Sequence, residues 1–185
     1  MAYFSVSRGY KTGGFNNTAE TEEDRIFDPE HSWSYEVGAK SGFCGKLLFV
    51  DMSLFYINWN DQQISQTKPS GQGFLIKNAG KSVSKGVELS AMVNPVRNVS
   101  LQAAYGYTSA KYKDHRDYNA KTEATTIYDG NYLPMVPRHT LSLAANYVLD
   151  IPWTWLDNIT FNAQYAGAGK LYWTDKNDYI QPYYG

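Results

Sequence analysis

The sequence has little cysteine and no long run of apolar residues. A single cysteine, Cys44, among 185 residues excludes an internal disulfide. No segment approaches the roughly 18 consecutive apolar residues of a transmembrane helix, and the mean hydropathy is −0.49. The first residues, MAYFSVSRGY, lack the basic and apolar regions of a signal peptide. These absences leave a membrane β-barrel open, because its strands are apolar only at alternate positions.

A strong net charge is absent as well. The 17 Lys and Arg residues nearly balance the 18 Asp and Glu residues, which leaves a net charge of −1. Such a balance gives no long-range attraction to nucleic acid or to an anionic membrane surface. We therefore expect no nucleic-acid partner.

Patterns that would indicate an enzyme or a metal site are also missing. The GKS tripeptide in NAGKSVSKGVEL (78–89) is not a phosphate-binding loop, since Leu75 stands where that loop needs a glycine. The stretch instead predicts a turn running into a strand. The three histidines do not have the spacing of metal ligands, and the sequence has no recognisable set of a nucleophile and a general base. We expect no enzyme, no metal ligand and no covalently bound cofactor.

Aromatic residues and alternating segments are what the sequence has in abundance. Aromatics make up 16% of the chain, with 16 Tyr and 5 Trp. In 30–41, Trp33 and Tyr35 alternate with Ser34 and Glu36, so one face of the strand is apolar and the other polar. The same period predicts about eight strands, at 3–11, 30–41, 46–60, 86–93, 98–110, 139–149, 158–168 and, as a strand cut short, 178–184.

The connections between these strands alternate in length. Those at 42–45, 95–98 and 150–157 are short, whereas those at 12–29, 61–80, 111–137 and 169–177 are long. Outer-membrane barrels have short turns at one end and long loops at the other. Tyr and Trp near the strand ends fit the interfacial belts of such barrels. We predict an all-β fold, an antiparallel transmembrane β-barrel segment; a soluble, aromatic-rich barrel stays open as an alternative.

Six segments stand in order along the chain: SRGYKTGGFN (7–16), PEHSWSYEVGAKS (29–41), LFYINWNDQQI (54–64), NAGKSVSKGVEL (78–89), GYTSAKY (106–112) and VPRHTLSLAANY (136–147). Together they resemble TonB-dependent outer-membrane receptors, and most of all the ferric-siderophore branch that includes the pesticin/yersiniabactin receptors. It implies a protein of the bacterial outer membrane that imports a ferric siderophore or a similar scarce nutrient. The implied partners are membrane lipid, the iron chelate, a plug domain and the TonB complex.

The resemblance also implies a larger molecule. A complete member is a 22-stranded barrel closed by an N-terminal plug, with a TonB box that couples transport to the proton-motive force. Residues 1–185 contain neither plug nor TonB box, so we expect them to form a partial barrel domain that begins in mid-barrel. Two alternatives are a passive eight-stranded barrel, acting as a pore or an anchor, and a soluble β-barrel binding module.

Candidate ligand-binding residues lie near the predicted long-loop rim. Guanidinium and ammonium groups suit an anionic ferric chelate, and aromatic rings can stack on an aromatic chelator. Equally, such residues serve as rim charges and interfacial anchors. The predicted ligand-binding set is Arg8, Lys11, Tyr112, Tyr128, Tyr132, Arg138 and Trp173. The acids on the polar strand faces, Glu36, Asp51 and Glu88, are expected to bond to neighbouring strands or to the plug.

Overall fold

The computed structural model describes residues 1–68, 70, 72–119 and 124–185, and almost all of its regular structure is strand. Short 3-10 turns occur at Glu23–Arg25 and Cys44–Lys46. No helix in this part of the chain is long and apolar enough to span a membrane. The strands are β1 (Ala2–Lys11), β2 (Gly14–Phe15), β3 (Ile26–Phe27), β4 (Glu30–Phe43), β5 (Leu48–Thr67), β6 (Phe74–Val96), β7 (Val99–Asn119), β8 (Ala124–Ile127), β9 (His139–Trp153), β10 (Leu156–Ala168), β11 (Leu171–Tyr172) and β12 (Ile180–Gln181).

One antiparallel sheet contains all the long strands. Its order is β1-β4-β5-β6-β7-β9-β10, so each long strand pairs with the long strands before and after it in the chain, and β8 pairs with β7 beside this path. The small hairpins β2–β3 and β11–β12 form separate two-stranded sheets. This up-and-down arrangement confirms the predicted all-β, antiparallel barrel segment.

Two of the predicted loops are largely strand. Residues 61–80 were expected to be a loop, but β5 continues to Thr67 and β6 begins at Phe74, so the stretch 78–89 lies inside β6. Likewise β7 continues to Asn119 through much of the predicted loop 111–137. The prediction was wrong because these extensions, such as 61–67 and 113–119, lack a clear alternation of apolar and polar residues. Residues 69, 71 and 120–123 of the two predicted loops lie outside the described residues.

The structure also differs from the prediction at the last predicted strand, 178–184. Only Ile180–Gln181 is strand, and it pairs with β11 rather than with a long strand. Tyr184 then bridges to Ala168 at the end of β10, through backbone hydrogen bonds of 2.8 and 3.0 Å. The eight-stranded sheet therefore comprises seven long strands and the short β8.

The two faces of the sheet have opposite chemistry. Residues directly opposite each other in a pair share a face, and Phe4, Val37 and Leu54 meet in this way on the outward, apolar face. Their side chains are exposed, with Phe4 at 69%. The buried apolar residues of the described chain instead lie towards the long-loop end: Leu75, Val83, Ala110, Tyr112, Tyr128 and Leu171. An exposed apolar band of this extent requires a lipid covering.

Aromatic side chains frame this band at both ends. At the long-loop end, Tyr35 lies 6.5 Å from both Trp33 and Tyr56, measured between ring centroids. At the short-turn end, Trp153 stacks on Trp155 at 5.4 Å. Rings of this kind suit a membrane interface, because the apolar body stays in lipid and the polar atom stays in water.

Trp59 departs from the predicted belt. It lies near the end of the predicted strand 46–60, where the aromatic residues are expected to face the membrane interface, but its partners across the sheet are Ser32 and Ser82, which lie on the polar face. Register shifts in the β5–β6 pair begin only after Trp59, so its orientation still follows the regular alternation of β5.

Close strand packing at Gly86 generates a test of the fold. A Cβ atom there would lie 2.1 Å from the carbonyl oxygen of Tyr107 and 2.6 Å from the ring of Phe55. We expect Gly86→Ala to lower the free energy of unfolding by about 1–3 kcal/mol, because β6 and β7 must move apart. Thermal unfolding in detergent, followed by circular dichroism, measures the change. Ser84→Ala, two residues earlier on the same face, is the control, and equal midpoints for both variants would contradict the packing.

Candidate ligand-binding site

The polar face forms a wall with its own charge network. Tyr3 Oη donates a hydrogen bond of 2.5 Å to Glu36 Oε1 on the next strand. Lys40 Nζ lies 2.7 Å from Asp51 Oδ2 and also sits over the ring of Tyr3. Glu88 joins these residues along a cavity of about 710 Å³. Glu36 and Asp51 thus have partners on neighbouring strands, as the sequence analysis expected.

Above this wall, the segments after β7 and β10 fold against the extended part of β7. The ring of His115 lies between those of Tyr112 and Tyr128, at centroid distances of 4.5 and 5.0 Å. Both tyrosines are buried, with 9% and 6% of their surface exposed. The backbone N–H of Tyr128 donates to the His115 carbonyl at 2.9 Å, which holds the two segments together.

Asp175, in the segment between β11 and β12, closes this cluster. Its Oδ1 accepts a 2.7 Å hydrogen bond from Tyr112 Oη, and its Oδ2 lies 3.6 Å from His115 Nε2. Hydrogen bonding to His115 and Tyr112 holds the pKa of the Asp175 carboxyl below its usual value. Asn131 Nδ2 donates to the Asp175 carbonyl at 2.8 Å. These contacts fasten segment 173–179 to β7.

The other long loop, 12–29, is fastened to the β5–β6 hairpin. The side-chain amide of Asn16 accepts from the backbone N–H of Ile76 and donates to its carbonyl, at 3.0 and 2.8 Å. The buried carboxylate of Asp24 lies 2.6 Å from Lys77 Nζ, and this contact lowers the pKa of Asp24. Asn78 Oδ1 accepts from the backbone N–H of Asp28 at 2.6 Å. Both long loops are therefore anchored on extended strands.

The structure separates the predicted ligand-binding residues into groups. Tyr112, Tyr128, Tyr132 and Arg138 lie on or beside the extended β7, whereas Trp173 directly follows β11 and its backbone N–H donates to the carbonyl of Tyr179. Of these, Tyr112 and Tyr128 are buried, whereas Trp173 is 51% exposed.

Arg8 and Lys11 lie at the far edge of the sheet, on β1. The guanidinium of Arg8 sits 5.7 Å from the ring centroid of Trp33, on the apolar face, while Lys11 is exposed and pairs with Glu30 across the sheet. The seven residues therefore do not form one site within this chain.

Two features were missed by sequence reasoning. Trp59 projects from the polar wall and is 37% exposed; the signal was present, because it has the same odd-numbered parity in β5 as Asp51 and Ser53. The His115–Asp175 contact had no such signal, since the two residues lie far apart in the chain and meet only through folding. Within the described ranges, no group of three or more His, Cys, Asp or Glu residues could hold a metal ion.

Long strands in an up-and-down sheet, with an apolar outward face and a polar wall, define the wall of a transmembrane β-barrel. A match to a known family identifies which family within this class the chain belongs to. All of residues 1–185 match the family described as TonB dependent receptor-like, beta-barrel, and the chain belongs to that family.

Relatives and solved structures agree with this assignment. The pesticin receptor of Yersinia enterocolitica is 28% identical over 80% of this chain and 20% of its own length. The ferrichrome outer membrane transporter/phage receptor of Escherichia coli is 26% identical over 78% of this chain and 17% of its own length. The crystal structure of the ferric yersiniabactin uptake receptor FyuA from Yersinia pestis superposes with a TM-score of 0.76 at 24% identity, covering 99% of this chain and 26% of that protein.

The chain thus spans about a fifth of the length of the curated relatives it matches. By name, these relatives are a receptor and an outer membrane transporter. The structural superposition, at under 25% identity, supports the shared fold.

Removing the Asp175 carboxylate should loosen the loop that it fastens. Asp175→Ala leaves the buried Tyr112 hydroxyl without its acceptor, which costs about 1–3 kcal/mol of local stability. We expect hydrogen exchange in 124–135 to speed up about tenfold or more. Asp157→Ala, at the start of β10 at the short-turn end, is the matched control and should change nothing there. Equal protection in both variants would show that Asp175 does not hold the loop.

Acid should release both long loops. The pKa values of Asp24 and Asp175 are lowered by their partners, so each carboxylate stabilises the docked loop at neutral pH. That contribution is lost as the pH falls below the ordinary carboxyl pKa and through the lowered pKa of the folded state. Hydrogen exchange of 12–29 and 169–179, corrected for the intrinsic pH dependence, should therefore show weaker protection at pH 3 than at pH 7. Unchanged protection at pH 3 would contradict this anchoring.

Proposed function

We propose that this chain is part of the barrel wall of a bacterial outer-membrane receptor that binds and imports a ferric siderophore or a similar scarce nutrient. The observation that carries the proposal is the family match over all of residues 1–185, together with a sheet whose apolar face is exposed. The names of the relatives, a pesticin receptor and a ferrichrome transporter, support an iron chelate as the ligand. Energy comes from the TonB complex of the cell.

The polar wall has a role in this mechanism. The carboxylates of Glu36, Asp51 and Glu88 and the ammonium of Lys40 line one cavity, so this part of the wall is hydrated and forms hydrogen bonds. Such a surface suits a plug domain that packs inside the barrel and must move during transport, because polar contacts exchange with water at little net cost. The plug belongs to the whole protein, and this chain contributes the wall that faces it.

Ligand contact within this chain falls to exposed groups above the wall. Lys11 offers an ammonium for an anionic chelate, and the indoles of Trp59 and Trp173 offer faces for stacking. Buried Tyr112 and Tyr128 support the loops from beneath. Arg8 lies over the ring of the outward-facing Trp33. The ring of Tyr132 contacts the ammonium of the outward-facing Lys111 and the guanidinium of Arg138. The proposal therefore assigns no chelate contact to Arg8, Tyr132 or Arg138.

Uptake by cells tests the proposed function. The full reading frame is expressed in a strain that lacks its own siderophore receptors, and radiolabelled ferric siderophores are supplied one at a time. We expect accumulation of at least one chelate, abolished by deletion of TonB or by an uncoupler. Uptake that persists without TonB would favour the passive barrel. Recovery of the protein in the soluble fraction would instead favour the soluble binding module.

A substitution at Trp59 tests the assignment of the ligand face. Trp59→Ala removes an exposed indole from the polar wall, and we expect the affinity for the imported chelate to fall about 5–30-fold, equivalent to about 1–2 kcal/mol. Saturation binding of the radiolabelled chelate to whole cells measures the change. Trp155→Ala removes an exposed indole at the short-turn end and should leave the affinity unaltered. The assignment fails if both variants bind alike.

A further inference from the structure

Three cavities follow one another down the polar wall. The upper cavity, of about 710 Å³, and a middle one of about 140 Å³ share Ala104 and Ser142 in their linings. Gln102 and Ala144 line both the middle cavity and a lower one of about 260 Å³. Because neighbouring cavities share lining residues, the three form one continuous depression that descends towards the short-turn end.

The strand register aligns this depression along β7, β9 and β10. Residues 100–104 of β7 pair with 142–146 of β9, and these pair in turn with 162–166 of β10. The even-numbered residues of all three segments belong to the polar wall, because opposite residues share a face and alternate residues of a strand point the same way. We define the furrow as the polar-wall side of 100–104, 142–146 and 162–166.

The furrow carries no formal charge. Its even-numbered positions hold only Ala, Ser, Asn and Gln, so its surface consists of methyl, hydroxyl and amide groups. The ionised groups of the upper cavity all lie on the other side of that cavity, on β4, β5 and β6: Glu36, Lys40, Asp51 and Glu88. The polar wall is therefore divided into a charged half and a neutral half, which meet along the β6–β7 pair.

The two halves also differ in the size of their side chains. On the charged half, the rings of Tyr3 and Phe55 lie on the lumenal side and cover Gly38 and Gly86, where an added Cβ would come within 2.7 Å of them. In the furrow, alanine occupies one lumenal position on each strand: Ala104, Ala144 and Ala166. A plug that packs on the larger, ionised side chains of the charged half leaves the remaining space of the lumen beside the furrow.

Charge decides which half suits an anionic chelate. The charged half presents the carboxylates of Glu36, Asp51 and Glu88 against the single ammonium of Lys40, so it repels an anion, and repulsion is strong where little water screens it. The exposed amides of Gln102 and Gln164 can instead donate to chelate oxygens and accept from chelate hydroxyls. Neutral hydrogen bonds are individually weak, which allows a ligand to enter a path and to leave it again.

We propose that the furrow is the path along which the imported chelate passes towards the periplasm, and that the plug, as it moves, separates from the neutral half and remains against the charged half. The amides of Gln102, Asn146, Asn162 and Gln164 bind the chelate oxygens in turn, and the alanines between them leave room for its bulk. The inference rests on the proposed transport function. It adds the side of the lumen that the ligand follows and the ligand chemistry that suits this side, an anionic chelate rich in oxygen atoms.

Filling the furrow tests this path. In the uptake assay described above, Ala144→Trp places an indole where the middle and lower cavities join. We expect the initial rate of chelate uptake to fall about tenfold or more, because the ring closes the narrow part of the path. Equilibrium binding at the cell surface should change by less than about twofold, since residue 144 is distant from the rim. Ala144→Ser should change neither quantity.

Ala145→Trp is the matched control. It places the same ring one residue further along β9, on the outward face, and should keep normal uptake because lipid accommodates the indole. Normal uptake by Ala144→Trp, or an equal loss in Ala145→Trp, would overturn the proposed path. If the unaltered protein imports no chelate at all, the transport function itself fails.

Thiol labelling during transport tests the same path without a bulky substitution. Gln102→Cys in the furrow and Ser34→Cys on the lumenal face of β4 are each made in a Cys44→Ser background, and a hydrophilic maleimide is added to the cells. We expect the labelling rate at position 102 to rise about fivefold or more only when ferric chelate and TonB are both present, while the rate at position 34 stays constant. A rate at position 102 that does not depend on TonB, or an equal rise at position 34, would overturn the proposal.

Discussion

The backbone hydrogen bonds between neighbouring strands are the constraint on which the rest of this structure depends. In lipid, each backbone N–H and C=O needs a partner within the protein, and strands can provide one only to each other. The long pairings of β4 through β10 meet this need without interruption across the apolar band, and register shifts in β5–β6 occur beyond it, after Trp59. Irregular pairing is tolerated beyond this band, because water there can form hydrogen bonds with backbone groups that lack a partner in the protein.

The register of these hydrogen-bonded strand pairs also determines which side chains contact one another, because residues directly opposite each other share a face. One register therefore produces the polar wall, where Lys40 pairs with Asp51, and the outward face, where Arg8 lies over Trp33. The placement of the acids has the same origin: Glu36, Asp51 and Glu88 all lie on the wall, and the outward positions of the paired strands carry no Asp or Glu. Acids can be hydrated only on the wall, whereas Lys and Arg at the rim can reach past the apolar band to headgroups and water.

The parts of β5, β6 and β7 that extend beyond the membrane provide an ordered surface against which the long loops pack. Asn16 pairs with the backbone of Ile76, and Asp175 with the side chains of Tyr112 and His115, so polar contacts hold each loop beside the few apolar residues buried at this end. Contacts of this kind are specific but modest in energy, which suits loops that must admit and release a ligand. The rigid part of the molecule and its adaptable part are thus built from different interactions.

The sequence by itself determined the fold class, because the alternation of Trp33 and Tyr35 with Ser34 and Glu36 has a period that only a strand with two unlike faces satisfies. It also determined which end carries the loops. It did not determine where β5 and β7 end, since polar residues above the membrane lack alternation. Only the tertiary structure decided the site: it buried Tyr112 and Tyr128, turned Trp59 to the wall and aligned 100–104, 142–146 and 162–166 as one furrow. Such contacts join residues from separate strands and loops, and no local pattern encodes them.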